Sequence, residues 1–133
     1  MEAAIQQLIA ANEPVPKPLP LPTIADVAAA EGALGIKFPQ SYVQLQLEAG
    51  NVVFGTLEPA TLPPNTGHTY IVSMARNAWS VGVPLELLPI CESNGDYFCL
   101  SPSGAVVFWS HNGVSQESWP NLKAWVLEVW LNS

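Results

Sequence analysis

Leu87-Leu88-Pro89-Ile90-Cys91-Glu92-Ser93-Asn94-Gly95-Asp96-Tyr97-Phe98-Cys99-Leu100-Ser101-Pro102-Ser103-Gly104-Ala105-Val106-Val107-Phe108-Trp109 reads as two apolar hairpins in series. Asn94-Gly95 supplies the positive φ angles of a tight type I′ turn, and Pro102-Ser103-Gly104 suits a type I turn closed by a glycine bulge. Three strands of an antiparallel meander follow from these turns. With Asn94-Gly95 central, the register sets Cys91 opposite Phe98 and Ile90 opposite Cys99. With Gly104 as the bulge, Leu100 faces Val106 and Phe98 faces Phe108. Phe98, Leu100, Val106 and Phe108 then share one face, and Tyr97, Cys99, Val107 and Trp109 share the other. Both faces are apolar, so each needs a cover.

The rest of the chain supplies candidate covers. Residues 2–12 carry Ile5, Leu8 and Ile9 at one-face helical spacing, and the helix must stop by Pro14. Prolines at 14, 16, 18, 20 and 22 then force an extended strap, a stiff connector rather than a PxxP ligand because no two of them are three apart. Thr23 and Asp26 form a capping box, followed by a stripe of Ile24, Val27, Ala28 and Leu34 and a helix end at Gly35. A further helix from near Pro39 turns Tyr42, Leu45 and Ala49 inward and ends at Gly50-Asn51. Residues 52–57 read as a first strand, the segment with Pro59, Pro63, Pro64, Asn65 and Gly67 as a loop, and residues 69–80 as a helix carrying Ile71, Val72, Ala75 and Trp79. The closing helix is expected from a Ser118 cap, through Pro120, to about Leu131, with Leu122, Trp125, Val126 and Val129 as its core stripe. Leu127, Trp130 and Leu131 make a second stripe. Docking on the N-terminal helix is the commoner explanation for such a stripe, and a contact between copies through the C-terminal helix is the other.

At 133 residues the chain suits one domain with a core of its own. Its boundaries are read as a helix and proline strap over 1–22 and an α+β domain over 23–133. The expected fold class is α+β: a single domain with an antiparallel meander sheet of about four to six strands and helices packed against it. Apolar residues make up 49% and charged ones 11%, a surface so poor in charge that part of it calls for cover by a partner or a second copy. Eleven acidic and four basic residues give a net charge of −7, which repels nucleic acid and favours basic partners. No run approaches the roughly 18 apolar residues of a membrane span, and Glu2 stands where a signal peptide carries basic residues. A cytoplasmic protein is expected, with no nucleic acid or membrane as partner.

Catalytic and metal chemistry find little support. His68, Cys91, Cys99 and His111 lack the short spacings of a zinc site, so neither a metal nor another cofactor is expected. Cys91 and Cys99 are not a facing pair and read as buried free thiols. A Cys-His nucleophile would need a basic surrounding, for which only Lys17, Lys37, Arg76 and Lys123 exist. Glu92 and Asp96 flank the Asn94-Gly95 turn and are the one carboxylate pair that a small hydrolase would use, although turns commonly carry such residues.

Several segments, taken in order, resemble the SUKH superfamily, an α+β family of fungal cell-wall synthesis regulators and bacterial immunity proteins. Glu31 leads into Leu34-Gly35-Ile36-Lys37-Phe38-Pro39-Gln40-Ser41-Tyr42, similar to the family's "E..LG..LP..Y" opening with Phe38 for leucine. Ala49-Gly50-Asn51 follows, where the family often has Asn-Gly-Gly. Leu87-Leu88-Pro89-Ile90 and Asn94-Gly95-Asp96-Tyr97-Phe98-Cys99-Leu100 resemble its "P.....GD.yclD" strand pair, with Ser101 in place of the acidic residue. Val106-Val107-Phe108-Trp109-Ser110-His111 resembles "V.yw.H", and Ser118-Trp119 with Leu122 resembles "SF..fL". The resemblance implies a non-catalytic immunity protein that neutralises a cognate toxin by occlusion, the acidic charge suiting a basic nuclease or deaminase. Glu48, Glu58, Glu86, Glu92, Asp96 and Glu117 are the candidate partner-binding carboxylates, with Trp79 and Trp109 as aromatic anchors. A regulatory or scaffolding module is the alternative that the fungal relatives suggest.

Overall fold

A computed structural model describes residues 1–63 and 66–133, apart from the side chains of residues 114 and 116. Pro64 and Asn65 of the expected loop lie outside the described residues. Among the described residues the chain is α+β, with five α-helices and a five-stranded antiparallel sheet whose strands lie side by side in sequence order.

The meander forms where the turn chemistry puts it. Strands β2 (Leu88–Ser93), β3 (Asp96–Leu100) and β4 (Val106–Ser110) follow one another, with Asn94 at φ 53° and Gly95 at φ 86° in the first turn. Cys91 faces Phe98, Phe98 faces Phe108, and Leu100 faces Val106, as the turns require. The pairing of Ile90 with Cys99 is corrected: Cys99 faces Pro89, and Ile90 falls in a bulge between Pro89 and Cys91. Proline has no N–H for the ladder, which makes a bulge beside it inexpensive. The Ile90 carbonyl turns outward instead and accepts from Ala60 N at 2.7 Å.

Both ends of the sheet differ from expectation. Residues 52–57 form no strand, because Val53 N donates to Asn12 Oδ1 and Val53 O accepts from Glu13 N, both at 2.8 Å. The exit of the first helix thus takes the groups a ladder would need. The first strand is instead β1 (Glu58–Pro59), two residues paired with β2. At the other edge, residues 113–119 form β5 (Gly113–Trp119), which places Ser118 opposite Val107 rather than at a helix cap. The cap is Asn121, whose Oδ1 accepts from Ala124 N at 2.8 Å, and α5 runs Leu122–Glu128 before a 3-10 turn at Trp130–Asn132.

Four more helices surround the sheet. Helix α1 (Glu2–Ala11) buries Ala4, Ile5 and Leu8 but leaves Ile9 46% exposed. In α2 (Ile24–Leu34) the capping box is present in both directions, with Asp26 N donating to Thr23 Oγ1 and Thr23 N to Asp26 Oδ2. The expected stripe of α2 is rotated: Val27 and Ala30 are buried while Ile24 is 73% exposed, because α2 packs against the helix over Ile71–Ser80 rather than on the sheet. Helix α3 (Gln40–Ala49) buries Tyr42, Leu45, Gln46 and Ala49, and α4 (Ile71–Ser80) packs along β2.

Aromatic rings join the sheet to α5. Phe98 contacts Phe108, Trp119 and Trp125 at centroid distances of 4.8, 5.7 and 5.5 Å, and Trp125 meets Trp130 at 6.2 Å. Trp130 is 3% exposed, and α1 packs against α5, so this part of the second stripe is internal. On the opposite face Tyr97, Cys99 and Trp109 are buried and Val107 is half-buried. The turn after α4 reaches that face, where a Cβ added at Gly82 would sit 3.6 Å from the Trp109 ring. Replacing Thr23 by Ala removes one half of the capping box and is expected to lower stability by about 1 kcal/mol, read from the midpoint of urea unfolding.

Candidate functional site

The expected carboxylates gather only in part, and the gathering is at the β1–β2 edge. Glu58 and Glu92 are direct cross-strand partners and both are exposed. Like charges facing each other across a ladder repel, an arrangement that a cation from outside relieves. His68 Nε2 lies 2.8 Å from Glu58 Oε2, and Glu92 is followed across the sheet by Tyr97 and then Trp109. Burial raises the Tyr97 hydroxyl above its ordinary pKa, and the negative charge of Glu92 adds to that effect. Among the described residues no lysine or arginine pairs with a carboxylate; the ion pairs are Glu58 with His68 and Asp96 with His111.

Asp96 has a different task from Glu92. Its Oδ1 accepts the His111 backbone N–H at 3.2 Å and lies 3.0 Å from His111 Nδ1, so it ties the first hairpin turn to the turn between β4 and β5. A carboxylate so committed is poorly placed to exchange a proton with a substrate. Glu86 is exposed in the loop before β2; Glu48 on α3 and Glu117 on β5 are exposed too, and among the described residues no hydrogen bond joins either of them to the β1–β2 edge. Trp79 is half-buried and donates its indole N–H to Leu87 O at 3.0 Å, whereas Trp109 is 7% exposed and belongs to the core. Among the described residues no three His, Cys, Asp or Glu side chains cluster as metal ligands would, and no helix is long and apolar enough to cross a membrane.

A second feature begins at the same edge and was not anticipated from the sequence. A cavity of about 240 Å³ opens between α3, the coil after it, β1, the segment around His68 and the end of α5, with Glu58 and His68 in its lining. Its wall contains Gln46, a polar residue 3% exposed on the inward face of α3. The signal was present in the sequence, since Gln46 follows Tyr42 by four residues and therefore shares its face. Gln46 Nε2 donates to Tyr42 Oη at 2.9 Å and to Ala60 O at 3.0 Å. Gly50 is required beside it, because a Cβ there would collide with the backbone carbonyl of Gln46 as well as with its Oε1.

Comparison with known proteins agrees with this architecture. The family model SUKH_5, described as SMI1-KNR4 cell-wall, matches residues 1–131. A crystal structure of a protein from Pseudomonas syringae pv. tomato is similar at 41% identity, covering 100% of both chains, with a TM-score of 0.95. No functionally curated protein matches the sequence.

Cys91 and Cys99 are free and fully buried, and burial pushes both thiols from an ordinary 9.0 up to about 12. In the native protein at pH 8 neither is expected to react with a thiol reagent, and both should react after unfolding in guanidinium. The unfolded chain releases these protons near its ordinary pKa while the folded chain retains them. Their contribution to stability is therefore complete below about pH 9 and declines as pH rises toward 12, a trend to be read from unfolding midpoints across that window.

Proposed function

This chain belongs to the SUKH superfamily, and we propose that it acts as a non-catalytic immunity protein that binds a basic toxin and occludes its working surface. The observation that carries this reading is the opposed pair Glu58 and Glu92 on an exposed sheet edge, in a chain of net charge −7, with no lysine or arginine partner among the described residues. A partner rich in lysine or arginine relieves the repulsion between the two carboxylates and is steered toward them from a distance. Nucleases and deaminases acting on nucleic acid carry such basic surfaces. Glu92 leads directly to Tyr97, and Glu86 stands on the loop next to Leu87, to which Trp79 is bonded, so the acidic edge has aromatic neighbours.

The toxin is to be sought by co-purification from the native host and by rescue of cells expressing the gene next to this one. With the toxin in hand, Glu58→Lys combined with Glu92→Lys is expected to weaken binding at least about tenfold and to slow association most at low salt. Glu48→Lys, away from the edge, is expected to change affinity less than about twofold. Equal affinity in both variants would remove the acidic edge from the interface. A regulatory or scaffolding role is favoured by the cell-wall description of the matching family; recovery of an endogenous complex, with no toxin rescue, would favour it. Any turnover that Glu92→Gln or Asp96→Asn abolishes while the fold persists would instead mark a hydrolase.

A further inference from the structure

Three buried side-chain atoms have no hydrogen-bond partner among the described residues: Gln46 Oε1, Trp125 Nε1 and Trp130 Nε1. All three belong to side chains that line the 240 Å³ cavity. An unpaired buried polar group is costly, and three such groups around one cavity are not scattered imperfections. The orientation of the Gln46 amide is not in doubt. Ala60 O, 3.0 Å from Nε2, can only accept, so the nitrogen must face it and the oxygen is left over.

We propose that this cavity binds a small, neutral, largely apolar molecule carrying an amide group, whose carbonyl accepts from the indole N–H groups and whose N–H donates to Gln46 Oε1. The Trp125 and Trp130 rings are neighbours in the cavity wall, with centroids 6.2 Å apart. Because all three atoms are shielded from water, binding requires both the indoles and the Gln46 amide to turn toward the cavity, the bonds gained to the ligand offsetting any weakening of the Gln46 bonds to Tyr42 and Ala60. An anionic ligand is disfavoured because no lysine or arginine among the described residues lines the cavity while Glu58 stands in its wall, and the mostly apolar lining makes burial of any charge costly. By proportion to benzene in a cavity of about 150 Å³, there is room for about ten non-hydrogen atoms. The cavity shares Glu58 with the acidic edge, but the ligand's bonds to Gln46, Trp125 and Trp130 do not depend on a bound toxin.

The test uses the full chain, with 3-phenylpropanamide as probe and 3-phenylpropanoate and butylbenzene as controls, followed by two-dimensional NMR of the indole N–H signals. The amide should shift the Trp125 and Trp130 signals saturably and leave Trp79, already bonded to Leu87 O, in place. Both controls should bind at least tenfold more weakly. Gln46→Met should weaken the amide at least tenfold while changing butylbenzene less than threefold. Should that variant fail to fold, Val53→Trp, at a residue that lines the cavity and is also exposed to solvent, should abolish binding of the amide with the core intact. The proposal fails if the amide gives no saturable shift at Trp125 and Trp130. It fails equally if the carboxylate or the hydrocarbon binds as tightly as the amide, or if Val53→Trp binds it unchanged.

Discussion

The packing of Phe98 on Trp125, ring centroids 5.5 Å apart, is the contact on which the remainder of the structure depends. Phe98 lies at the middle of the central strand, and Trp125 is 1% exposed near the end of the chain. Their contact fastens the closing helix to a meander that local turns have already ordered. Once α5 is seated, Trp130 and the end of the chain reach the coil after α3, and α1 has a surface to dock on. Large aromatic rings suit this task because each buries much surface while losing few rotatable bonds.

The same sheet separates two kinds of surface. Its Phe98 face is covered by α5, and its Tyr97 face by the turn after α4 as far as Trp109, so both rows of the meander pack into the core, with only Phe108 and Val107 left half-buried. Charge is excluded from those rows and appears where the ladder ends, at Glu58 and Glu92. A two-residue β1 is too short to extend the pairing, which leaves a carboxylate-lined margin in place of a long bare edge. The cavity opens beside this margin, so the polar edge and the apolar hollow are neighbours through Glu58 and His68.

Much of the fold was legible because its instructions are short-range. Asn94-Gly95 set the register of Cys91 on Phe98, and Thr23 with Asp26 set the start of α2, each within a few residues. Errors arose where distant groups competed for the same backbone. Val52-Val53-Phe54 has strand composition, yet Asn12 and Glu13 capture its hydrogen-bonding groups. Gly113–Trp119 has too many polar residues to read as a strand alone and becomes one by pairing with β4. Of the candidate site, Glu58 and Glu92 come together, Asp96 is drawn into a turn and Trp109 into the core; those outcomes depend on partners that no local pattern names.

By itself the sequence determined the turns, the caps, the faces of the meander and the family, since these depend on neighbours in the chain or on ordered motifs within it. Only the tertiary structure decided which helix covers which face, where β5 lies, and that Gln46, Trp125 and Trp130 line one cavity with three unpaired polar atoms. The physical reason is separation: residues 46 and 125 meet only after the sheet and α5 have packed. Whether a buried polar atom then finds a partner is settled by side-chain geometry, which has no periodicity to read.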